Sequence, residues 1–144
     1  MWIEMISSLS AEVEFTDPVE QSDIDSVESA LGRELPSELK MLLRESNGLT
    51  DEYGCEFVWP VADILARNRE MRESVDFRTL YMSFDPLLFI GDNGGGDLFA
   101  FVIEPTRQDI FVWQHESDSR RWVANDLQDY IRRYLAAGGE DWYA

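Results

Sequence analysis

The chain has 144 residues, 44% of them hydrophobic and 12% aromatic, enough apolar content for one folded domain with one core and too much for wholesale disorder. Against 12 basic residues stand 29 acidic ones, a net charge of −17, so the surface repels nucleic acid and anionic membranes and attracts basic partners. Cys55 is the only cysteine, which excludes an intramolecular disulfide and fits a reducing compartment. The N-terminus carries Glu4 and no basic stretch of a secretory leader, and no apolar run is long enough to span a membrane, so the expected location is the cytoplasm.

In chain order, Ser22 is placed to cap a helix with Ile24, Val27 and Leu31 on its apolar face and Gly32 as its stop. Leu35-Pro36-Ser37 opens a second helix, whose stripe is Leu35, Leu39, Leu42 and Leu43 and whose end is marked by Asn47-Gly48. Cys55 to Trp59 predicts a short strand stopped by Pro60, and Val61 to about Glu73 a weakly patterned helix. Leu87–Ile90, Leu98–Ile103 and Asp109–Trp113 are apolar or β-branched runs separated by turn chemistry, as expected of an antiparallel meander. Residues 114–121 read as a polar loop before Trp122-Val123. Asn125, with Gln128 three residues on, predicts a capping box for a last helix that buries Leu127, Tyr130, Ile131, Tyr134 and Leu135 and ends at Gly138-Gly139. Two N-terminal helices, an antiparallel β meander and a C-terminal helix make an α+β domain spanning residues 1–144.

Acidic residues are spread unevenly. Residues 1–60 hold 14 Asp/Glu against 3 Lys/Arg, whereas residues 61–144 hold 15 against 9, so the N-terminal part carries most of the excess charge.

The segment Phe89 to Phe101 concentrates the chemistry that needs weighing. Gly94, Gly95 and Gly96 sit between apolar runs and are bracketed by Asp92 and Asp97. A phosphate-binding loop requires Lys-Ser/Thr and a helix after its last glycine; here Asp97 and a strand follow, and both carboxylates repel phosphate. A calcium-binding EF-hand loop beginning at Asp92 requires oxygen donors at positions 94 and 96, which are glycine, and an acid at 103, which is Ile. The loop therefore reads as a glycine-enabled turn between strands. His115, the only histidine, lies in a hydrophilic stretch and is expected to be solvated, and Cys55 is expected to be a buried, inert thiol. One histidine and one thiol are too few for a usual structural zinc site. No catalytic set, cofactor or metal is expected, and the residues do not argue for an enzyme.

The ordered combination resembles a known family. Ile24 to Pro36, then Leu39, Leu42, Leu43, Asn47 and Gly48, is similar to the opening of SUKH superfamily proteins, which include bacterial Smi/Knr-like immunity proteins. Phe89 to Phe101 resembles their central Gly-Gly-Gly-Asp motif, Asp109 to Trp113 the strand after it, and Trp122-Val123-Ala124 with the closing helix their ending. The resemblance covers about Ser22 to Leu135. It implies an α+β domain that binds and neutralises a secreted or contact-delivered toxin, and it brings no catalytic residues. Because nuclease toxins need basic surfaces to hold phosphate, the acidity points to a basic toxin, a nuclease among the possibilities. The family also contains regulatory members, so the alternative is a non-enzymatic regulatory or scaffold module binding a basic housekeeping protein. The expected contacts are acidic and aromatic residues on loops: Asp51, Glu52 and Tyr53 after the second helix, Glu56 and Trp59 close by, Asp92 and Asn93 at the glycine turn, and Glu116 and Asp118 before the last helix.

Overall fold

Residues 1–143 are described by a computed structural model of the chain. It opens with a helix that the sequence pattern does not announce, α1 (Trp2–Leu9), which buries Trp2 and Ile6 on one side. Its cap comes from far along the chain. The Glu45 carboxylate accepts the N–H groups of Trp2 at 3.0 Å and Ile3 at 3.1 Å and pairs with the terminal ammonium at 3.1 Å. Partial burial works against the Glu45 charge, but these donors outweigh it and hold the carboxyl below its ordinary range. A local reading of capping residues cannot find such a partner.

The next helix, α2 (Gln21–Leu31), begins one residue before Ser22. Glu20 occupies the N-cap position without a side-chain bond, and the Ser22 carbonyl instead accepts from the Ser26 hydroxyl inside the helix. Gly32 closes α2 in the left-handed conformation, with φ 76°. In α3 (Ser37–Leu43), Leu39, Leu42 and Leu43 are fully buried, each contributing on the order of 2 kcal/mol by leaving water. Asn47 then starts a later element: its Oδ1 accepts the Val61 N–H at 2.8 Å.

A short antiparallel pair, β1 (Leu49–Thr50) and β2 (Glu56–Val58), precedes α4 (Val61–Glu73) and the small helix α5 (Val75–Leu80), capped by Ser74. The antiparallel sheet follows in sequence order as β3 (Leu87–Asp92), β4 (Leu98–Ile103), β5 (Thr106–Gln114) and β6 (Ser119–Ala124). The polar stretch read as a loop over 114–121 is therefore shorter. Strand pairing continues to Gln114↔Ser119, leaving a turn at 115–118. The last helix, α6 (Leu127–Ala136), is capped by Asp126 and not by Asn125. Asp126 Oδ1 accepts the Asp129 N–H at 2.8 Å, and Asp129 returns the bond to the Asn125 N–H at 2.9 Å. The first bond is that of a capping box one residue along, but the return bond reaches Asn125, the residue before the cap.

Both faces of β3 and β4 are covered. On one side Phe57, Phe99, Tyr130, Tyr134 and Trp142 assemble, with Phe57 and Tyr134 stacked at 4.3 Å; on the other Tyr81, Phe84, Phe89 and Trp113 meet edge to face or tilted. β2 lies so close to β3 that a Cβ on Gly91 would collide with the Phe57 carbonyl. The fold is α+β, with the expected helices, meander and closing helix in the expected order. Among the described residues, no helix is long and apolar enough to cross a membrane.

Candidate partner-binding face

The β3–β4 connection is built by its own oxygens. Asp92 Oδ1 accepts the Gly94 N–H at 2.8 Å, and Asn93 Oδ1 accepts those of Gly95 at 2.8 Å and Asp97 at 3.1 Å. Gly94 and Gly96 have φ of 83° and 108°, values that side chains strain against, and the His115 ring lies over Gly96 where a Cβ would be 2.9 Å away. The glycines thus serve a turn, as expected.

The same oxygens tie the turn to the rest of the molecule. Asp92 Oδ2 accepts the Trp59 indole N–H at 2.8 Å and faces Arg67 at 3.5 Å, while the Cys55 thiol donates to the Asp92 carbonyl at 3.2 Å. Asn93 Nδ2 donates to the Tyr143 hydroxyl at 2.7 Å, and that hydroxyl donates to Asp97 Oδ2 at 2.9 Å. Asp97 Oδ1 also receives His115, whose Nδ1 lies 2.8 Å away and whose main-chain N–H lies 3.2 Å away. His115 is consequently anchored and only partly exposed, not the free loop side chain that its neighbours suggested.

Two expected surface contacts prove to be interior residues. Asp51 is 8% exposed: Oδ1 accepts the Tyr53 and Cys55 N–H groups at 2.9 and 2.8 Å, and Oδ2 accepts the Tyr134 hydroxyl at 2.7 Å. It shapes the β1–β2 turn. Trp59 is 1% exposed, its ring packed under Arg67, whose guanidinium lies 4.2 Å from the ring centroid. Charge and loop position look the same in sequence whether a carboxylate points outward or is used to close a turn, and this accounts for both corrections. Asp118 is also engaged structurally. It accepts the Trp113 indole N–H at 2.7 Å, the Met82 N–H at 3.0 Å and an Arg120 N–H at 3.2 Å, and so belongs with the 82–83 segment.

Glu52, Tyr53 and Glu116 remain exposed, and Glu56, Asp92 and Asn93 half-exposed. Tyr53 is 66% exposed, and its hydroxyl donates to the Gly138 carbonyl at 3.1 Å. The neighbouring Glu52 carboxylate, reinforced by Asp51 and Glu140, raises the phenol's pKa. Burial first, then Asp63 and Asp92, raises that of Glu56. These neighbours act on one another through a shared negative field. Sequence reasoning missed Asp97, Tyr134, Glu140, Asp141 and Tyr143. Asp97 was visible as the second bracket of the glycine run, whereas no local signal marks Tyr134 or Tyr143 as a ligand of Asp51 or Asp97.

Chemically, this end of the molecule is a fixed, acidic, shallow surface. The hollows beside Tyr53 and Tyr143 measure about 40 and 10 Å³, far below the roughly 300 Å³ at which small-molecule sites begin. Burial pushes the half-buried Cys55 thiol up to about 12, with Asp92 adding to the effect, so it is protonated and unreactive at neutral pH. No group of three or more His, Cys, Asp or Glu side chains among the described residues is arranged to hold a metal ion.

The profile of the SMI1/KNR4 family (SUKH-1) matches residues 18–133. The chain belongs to this family. No curated protein matches it individually. Membership of SUKH-1 points to a role in toxin–immunity systems. The matched region contains the glycine turn and both strands beside it. In this SUKH-1 chain, α1 and the tail carrying Tyr143 lie outside the match, yet Tyr143 completes the hydrogen bonding of that turn.

Proposed function

We propose that this SUKH-1 protein is a cytoplasmic immunity protein that binds a cognate basic toxin, a nuclease being the class its charge suits best, and neutralises it without catalysis. The observation that carries this reading is the acidic rim around the glycine turn: Glu52, Tyr53, Glu56 and Glu116, with Asp92 and Asn93 half-exposed between them, on a chain of net charge −17. Glu140 and Asp141 extend the rim from the tail, Asp141 within 3.3 Å of Asn93 Nδ2. The turn beneath is fixed by side-chain bonds, so little ordering entropy is lost on binding. Exposed Tyr53 supplies apolar area beside the charge, a residue type enriched at the centres of interfaces.

The test pairs protection with kinetics. Co-expression should rescue cells producing the toxin encoded beside this gene, and purified components should associate faster as salt is lowered. Reversing Glu52 and Glu56 to lysine should slow association by roughly tenfold at low salt while leaving thermal unfolding unchanged. Association indifferent to salt and to the double reversal would remove the electrostatic face from the proposal. Failure to protect against that toxin would remove the immunity role itself.

A further inference from the structure

The two edges of the four-stranded sheet are finished differently. At β3 the outward groups are engaged. Buried Asn68 accepts the Phe89 N–H at 2.8 Å and donates to the Phe89 carbonyl at 2.8 Å, and the Trp59 N–H donates to the Ile90 carbonyl at 2.7 Å. At β6 nothing comparable occurs. It ends the strand order with β5 on one side, and among the described residues its main chain from Arg120 to Val123 forms no hydrogen bond outside that pairing. Alternate residues of this strand therefore turn unpaired N–H and C=O groups outward.

The side chains along this edge run against the charge of the molecule. With 29 acidic residues available, almost every Lys and Arg is tied to a carboxylate or a carbonyl or amide oxygen. Among the described residues, Arg121 on β6 and Arg132 on α6 alone form neither an ion pair nor a hydrogen bond, and both are exposed. Trp122, next to Arg121 on β6, is 46% exposed, with the guanidinium of Arg133, the neighbour of Arg132 on α6, 5.4 Å from its ring centroid. An exposed tryptophan stacked by arginine is the side-chain type that dominates interface energetics.

We propose that the free edge of β6, with Arg121, Trp122, Arg132 and Arg133 around it, receives an extended acidic segment of a partner protein as an added strand. The open main chain supplies directional hydrogen bonds, and the two-residue period of a strand lets carboxylates meet the arginines while an intervening apolar side chain covers Trp122. A second copy is the wrong occupant. Antiparallel pairing of two β6 edges over Ser119–Ala124 sets Arg120 opposite Val123 and Arg121 opposite Trp122, so neither arginine gains a carboxylate across the pair. A nucleic acid is the wrong class of occupant because it has no peptide main chain with which to continue the hydrogen-bond ladder of an open strand edge. The surface differs in residues and in sign from the acidic rim, so the inference does not rest on the toxin reading.

The experiment is an NMR titration of the ¹⁵N-labelled full chain with a synthetic decapeptide alternating glutamate and valine. Saturable shifts are expected at the amides of Ser119–Ala124 and at the Trp122 indole N–H, with no response to a lysine–valine peptide of the same length. Affinity should fall at least about tenfold in R121E/R132E, whose exposed positions leave the fold intact by thermal unfolding. It should fall similarly when alternate peptide nitrogens are methylated. Absence of shifts at β6, or equal binding by the methylated peptide or by the folded double variant, would overturn the proposal. So would tighter binding of an oligothymidylate at the same amides, or a dimer formed through β6 in sedimentation.

Discussion

Single side chains in this protein close turns with groups that their sequence surroundings present as surface charge. Gly91 shows the opposite economy, a position defined by what it lacks. Its backbone is not in the left-handed region, but the Phe57 carbonyl occupies the space of a Cβ. Gly91→Ala should therefore push β2 from β3 and destabilise the protein by about 1–3 kcal/mol in urea unfolding, the usual range for overpacking. Asp118 carries a pH-dependent contribution. Burial opposes its ionisation, but the Met82 N–H, the Trp113 indole N–H and Arg120 outweigh it and hold the carboxyl below its ordinary 3.8. A folded pKa below the unfolded one gives stability that is complete above the unfolded value and lost as pH falls through the folded value. Asp118→Asn keeps the left-handed backbone that asparagine tolerates, with φ 56° at this residue. It should cost about 1–2 kcal/mol at neutral pH and flatten the loss of stability below about pH 4, as measured by thermal unfolding across the acid range.

Elements here are held by partners distant in sequence. α1 is capped by Glu45, the edge of β3 by Asn68 on α4, and the glycine turn by Tyr143 from the tail. The three glycines of the turn are consequently not equivalent. Gly96, at φ 108° under the His115 ring, should lose about 1–3 kcal/mol on replacement by alanine, from backbone strain and displacement of the ring. Gly95 has no positive φ and only ordinary contact with Asn93, so Gly95→Ala should change stability by less than about 0.5 kcal/mol. Equal losses at the two positions in denaturant unfolding would contradict the geometry. The helix stripes and apolar strands were readable because side-chain periodicity is set by neighbours three or four, or two, residues away. α1, α5 and β1 escaped because each is short and owes its place to tertiary contacts.

At the scale of the molecule, a net charge of −17 is self-repulsion held in check by packing. Raising ionic strength from low to physiological should therefore raise the melting temperature, and an unchanged or falling value would show that the local ion pairs outweigh the long-range field. The sequence by itself determined the α+β class, the order of the principal helices and strands, the net acidity, and the SUKH-1 family, since these depend on composition, periodicity and linear motifs. It also showed that the glycine run serves a turn and not a phosphate or EF-hand site. Only the tertiary structure decided which carboxylates face solvent. Asp51 and Asp118 have the same charge and loop setting as Glu52 and Glu116, but indole, phenol, main-chain and guanidinium donors converge on them. A hydrogen bond formed across the fold leaves no trace in the local spacing of residues, so the inner and outer acids separate only when the chain is folded.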